Sequence, residues 1–69
     1  MHEFVIATDC GWIYRPNWTD VFTHDFQKAH RFYTDSNDGH NDKELRSTIR
    51  ALRTANIGFQ VLELVDINA

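Results

Sequence analysis

The chain has 69 residues, 42% of them hydrophobic, with a net charge of -3 and one cysteine. A domain this small buries only about 60% of its unfolded surface and usually leans on disulfides, a metal or an oligomer interface. Cys10 alone cannot close an internal disulfide, so metal or self-association remain as supports. The modest charge implies neither a DNA-coating basic protein nor an extreme acidic mimic. No segment approaches the roughly 18 apolar residues of a membrane span. "MHEFVIATDCG" also lacks a basic region followed by a long apolar run, so the expectation is one soluble cytoplasmic domain over residues 1–69.

In chain order, "EFVIAT" has the apolar, strand-favouring character of a first strand, and "DCG" supplies a tight turn in which Gly11 takes a positive φ. "WIYRPNW" alternates, with Trp12, Tyr14, Pro16 and Trp18 on one parity, and predicts the second strand of a hairpin. Pro16 removes a ladder donor and pushes that strand toward an edge or an early end. "THDFQKAHRF" predicts a helical turn or two, capped by Thr23 or Asp25, with Phe22, Phe26 and Ala29 on one face. "RFYT" then reads as a short extended segment.

"NDKELRSTIRALRTANIG" is the clearest element. Asn41 and Glu44 have the spacing of a capping box, and Asn56 and Gly58 are stop signals. Leu45, Ile49 and Leu52 align on one face, with Thr48, Ala51 and Ala55 widening the side expected to be buried. "GFQVLELVDI" is apolar on both parities and predicts a last strand covered on both faces. The fold class is therefore α+β: a small antiparallel sheet, made of an N-terminal hairpin and a C-terminal strand, packed on one main helix with a short extra helix.

Charge is unevenly distributed. Residues 43–56 carry Lys43, Arg46, Arg50 and Arg53 against Glu44 alone, whereas residues 1–42 are net acidic. The four basic residues share one helix sector and form a solvent-facing ridge suited to phosphates or an acidic protein patch. The plainer reading is a solvated helix face. Trp12, Tyr14 and Trp18 offer rings for stacking bases or anchoring a protein, or alternatively a core for a small domain.

Other chemistry has weaker support. "TDSNDGHND" resembles a calcium loop, but Gly39 at position six leaves Leu45 where the bidentate glutamate belongs, and a start at Asp35 places Arg46 there. His24 and His30 with Asp25, or His40 with Glu44, are conceivable metal ligands without a known spacing, so no metal or cofactor is expected. Ser36 and Ser47 lack a nucleophile elbow or phosphate loop, and adjacent His24 and Asp25 point apart on a helix, so no catalytic residue is expected.

The "DCG" turn, the "NWTD" and "KAHRF" segments and the closing "GFQVLEL" strand resemble, in overall style, small accessory proteins of phages and mobile elements. That resemblance implies a stand-alone binder, among them inhibitors of host machinery or of defence systems, including anti-CRISPR-like proteins, and carries over no functional residue. The leading expectation is a non-enzymatic protein-binding inhibitor or regulator with contacts at Lys43, Arg46, Arg50, Arg53 and Trp18. The alternatives are a nucleic-acid binder using the same helix with the aromatic strand, and an acidic DNA mimic built on Asp20, Asp25, Asp35, Asp38 and Asp42. A homodimer is expected from the thin core and the doubly apolar last strand.

Overall fold

A computed structural model describes residues 2–16, 19–34 and 43–64. Its elements are β1 (His2–Thr8), β2 (Gly11–Ile13), β3 (Phe22–Thr23), a 3-10 turn (Phe26–Lys28), β4 (Phe32–Thr34), α1 (Lys43–Thr54) and β5 (Phe59–Leu64). The five strands make one antiparallel sheet centred on β1. One edge of β1 is shared. Its Ala7 and Thr8 pair with β2, and its His2, Glu3 and Phe4 pair with β4. The other edge pairs with β5 from Glu3↔Leu64 to Thr8↔Phe59.

The α+β class holds, with the hairpin, the main helix and the last strand in their expected places. The sheet is larger than expected, because β3 and β4 join the hairpin and β5. β2 ends early, at Ile13, although the Tyr14 N–H still donates to the Val21 carbonyl at 2.7 Å; Pro16, which lacks a backbone donor, lies beyond the strand. Phe22 belongs to a strand rather than to the short helix, which is a single 3-10 turn capped by Asp25. The Asp25 side chain accepts from the Gln27 N–H at 3.0 Å.

Side-chain alternation divides the sheet into two faces. Phe4, Ile6, Ile13 and Phe32 point toward α1 and close a core with Leu45 and Leu52. Thr48 is buried beside them, its hydroxyl donating to the Glu44 carbonyl at 2.8 Å. Ala51 and Ala55 are exposed, contrary to the helical pattern, because α1 overhangs the β2–β3 hairpin without touching it along its whole length. The opposite sheet face is covered too: Val5 is 0% exposed. On that side Trp12 meets the Phe26 ring edge-to-face at 4.8 Å, and Arg31 lies over Phe26 at 4.9 Å. The doubly covered strand is thus β1. In β5, Gln60 and Glu63 are exposed and the other four residues are half-buried.

Two backbone devices hold the connections. Gly11 has φ 114°, and a Cβ there would sit 2.7 Å from the Thr23 carbonyl oxygen, so the "DCG" turn needs glycine for both conformation and space. α1 ends with Asn56 at φ 59°. The Ile57 N–H donates to the Leu52 carbonyl and the Asn56 N–H to the Arg53 carbonyl, the paired bonds of a Schellman motif. The N-terminal cap expected at Asn41 lies outside the described residues.

Gly11→Ala is expected to destabilise the domain by about 2 kcal/mol in urea unfolding, whereas Asn56→Gly, which relieves a left-handed non-glycine residue, is expected to be neutral or stabilising. Val5→Ala should cost about 2 kcal/mol in the same assay, because its site is sealed on the face away from α1. A cost near zero would show that this second layer is not packed.

Candidate functional site: a basic ridge beside an open strand edge

α1 presents two flanks. Toward the hairpin, Thr48, Ala51, Leu52 and Ala55 face Ile13, Val21 and Phe22 across an open apolar groove of about 300 Å³. Toward β5, Lys43, Arg46, Arg50 and Arg53 are all exposed and form the ridge expected from their spacing. Half-buried Ile49 forms its floor. The Arg53 guanidinium lies 5.9 Å from the centre of the Phe59 ring, which fixes this end of the ridge against β5.

Among the described residues, none of these four cations has a carboxylate within ion-pairing distance. The carboxylates with basic partners are engaged elsewhere. Glu3 takes Arg31 at 3.4 Å and the Tyr33 hydroxyl at 3.3 Å; Glu63 takes His2 at 2.7 Å. Glu44, the one acid in this part of the helix, meets His30 at 2.5 Å on the hairpin flank. His30 stacks edge-to-face on Phe32 at 4.6 Å, and its backbone N–H donates to the Ile13 carbonyl. Glu44 thus ties α1 to the start of β4 instead of neutralising the ridge. His40, which helical spacing offers as another neighbour of Glu44, lies outside the described residues, and the pairing with His30 depends on a chain reversal that no local pattern records.

β5 adds a second feature to this flank. The Asp9 N–H donates to the Gly58 carbonyl at 3.1 Å, which marks that pair as hydrogen-bonded in the β1–β5 ladder. In an antiparallel ladder the inward-bonding residues then alternate as Gln60, Leu62 and Leu64. The N–H and C=O groups of Phe59, Val61 and Glu63 therefore point away from β1. Among the described residues no strand pairs with them. This open edge was not anticipated. Its only sequence signal is an apolar last strand without a second partner strand in the chain order.

The structure does not bring the ridge and the aromatic strand together. Trp12 is half-buried on the sheet face away from α1, packed on Phe26, and Tyr14 is half-buried beneath Arg15, whose guanidinium is 4.8 Å from its ring. Trp18 lies outside the described residues, as do residues 35–42 of the calcium-like stretch with Ser36, and so do three of the five aspartates of the acidic-mimic reading. Among the described residues no group of three or more His, Cys, Asp or Glu side chains is placed to hold a metal. Ser47 and Cys10 are exposed, and neither side chain is hydrogen-bonded to a histidine or carboxylate in that set. No helix among them is long and apolar enough to cross a membrane. No protein-family model matches the chain, and no significant match was found among curated proteins or solved structures.

Combined replacement of Arg46, Arg50 and Arg53 by alanine is expected to change folding stability by less than about 1 kcal/mol, because exposed unpaired charges contribute little. Thermal and urea unfolding check this. A larger loss would mean that the ridge serves the fold.

Proposed function

We propose that the chain is a non-enzymatic protein-binding module, a stoichiometric inhibitor or regulator of the kind that phages and mobile elements encode, and that Lys43, Arg46, Arg50 and Arg53 receive carboxylates of its partner. The observation that carries this reading is the set of four exposed cations on one helix flank that, among the described residues, have no carboxylate within ion-pairing distance, while the described acids Glu3, Glu44 and Glu63 are paired with Arg31, His30 and His2. A field of this kind steers an oppositely charged patch and sets its register. Guanidinium forks add directional bonds to carboxylates on contact. The small fold also argues against a buried reaction centre, since a deep pocket would consume the core formed by Phe4, Ile6, Ile13, Phe32, Leu45 and Leu52.

Nucleic acid is the second reading, because phosphates pair with arginine equally well. It draws less support. The stacking ring at Trp12 is on the opposite sheet face from the ridge, and four cations on one flank make a short track for a backbone.

A tagged pull-down from the native lysate, with and without nuclease, separates the two. The expected result is a protein that survives nuclease at a stoichiometric level and is lost when Arg46, Arg50 and Arg53 are all replaced by glutamate in a chain that still folds. Recovery that depends on nucleic acid, or that ignores the arginines, would overturn the proposal.

A further inference from the structure

We infer that the free edge of β5 is a docking site for an extended acidic polypeptide segment, which adds as a further strand and sets alternate carboxylates against Arg46, Arg50 and Arg53. This rests on the reading of the ridge as a carboxylate receptor and supplies its binding mode. The outward N–H and C=O groups of Phe59, Val61 and Glu63 form a ready ladder for main-chain pairing. Their side chains share the sheet face on which α1 lies, since Phe59 and Val61 pack against the α1 core. An added strand would lie about 4.8 Å beyond β5, with side chains on that same face recurring every ~6.8 Å. From Arg46 to Arg53 the helix rises about 10 Å, so the ridge spans two or three such side chains. The contact between Arg53 and Phe59 shows that the ridge begins at the edge itself.

Charge also selects against the simplest competitor, a second copy. Antiparallel pairing of β5 with its own equivalent has a two-fold axis perpendicular to the sheet, which leaves both helices on one face with their β5 flanks turned toward each other. Arg46, Arg50 and Arg53 of each copy would then converge, with no carboxylate among the described residues in ion-pairing reach of them. The edge that repels itself favours an acidic strand for the same reason. Among the described residues of this edge Glu63 is the one carboxylate, and its pairing with His2 at 2.7 Å turns it toward β1's first residue.

The test is an NMR titration of the isotope-labelled chain at low salt with a synthetic peptide of alternating glutamate and valine. The same peptide with alternate backbone nitrogens methylated, and a single-stranded oligonucleotide, serve as comparisons. Binding of the first peptide is expected to shift the Phe59, Val61 and Glu63 amides and slow their hydrogen exchange by about tenfold or more, with Gln60 and Leu62 already protected in the free chain. Arg50→Glu with Arg53→Glu should weaken binding by at least about tenfold. Val61→Pro, which removes an outward donor and leaves the β1–β5 ladder bonds, should abolish it. The amide shifts on the unsubstituted chain decide the matter if that variant fails to fold. Peptide binding at the arginines with the three edge amides unchanged would overturn edge docking and leave the ridge reading intact. No peptide binding, preference for the oligonucleotide, or equal binding of the methylated peptide would overturn edge docking, while the pull-down judges the ridge independently. A dimer in sedimentation that Val61→Pro dissociates would assign the edge to a second copy instead.

Discussion

The structure depends on β1. In a sheet this small a central strand must find partners on both edges and cover on both faces, and β1 is the strand that has all four. Its Phe4 and Ile6 face the helix, while Val5 is sealed on the other side. Two short strands divide one of its edges and β5 occupies the other. Each remaining element is positioned by what it does for β1. α1 and the 3-10 turn act as covers, and β2, β4 and β5 complete its hydrogen bonds. A buried backbone that lost any of these would leave polar groups without partners.

That arrangement has a consequence for the surface. A sheet centred on β1 must have edges, and the edge formed by β5 has a full run of outward backbone groups. α1 crosses the sheet with its apolar stripe down, so one of its flanks has to overlook that edge, and the sequence places its arginines there. The other flank overlooks the hairpin and carries Thr48, Ala51 and Ala55 with Glu44, whose bond to His30 belongs to the scaffold. One helix thus separates a structural flank from a basic one. Three of the described acids follow the same division, with Glu3 and Glu63 tied to Arg31 and His2 and Glu44 turned to the opposite flank from the ridge.

Much of this was legible in local sequence. The "DCG" turn, the helix with its Asn56 stop and the arginine ridge depend on neighbouring residues, so spacing and turn chemistry identify them. Phe22 was misplaced because its strand is only two residues long, and its extended state comes from pairing with Ile13 rather than from propensity. Ala51 and Ala55 were misplaced for a related reason. Helical periodicity shows which residues can be buried together, and only the width of the opposing surface shows which are.

The sequence by itself therefore determined the class of fold, the glycine at the tight turn, the C-terminal limit of the main helix and the grouping of Lys43, Arg46, Arg50 and Arg53 on one side of it. These are short-range properties, set by backbone sterics and by the pitch of a helix. Tertiary structure decided that β1 rather than β5 is the doubly covered strand, that Trp12 lies on the opposite face from the arginines, that Glu44 bonds to His30, and that the ridge runs beside an edge with which no described strand pairs. Each of these relates residues far apart in the chain. Their proximity is set by strand order and by the packing of a whole face, which no local window contains.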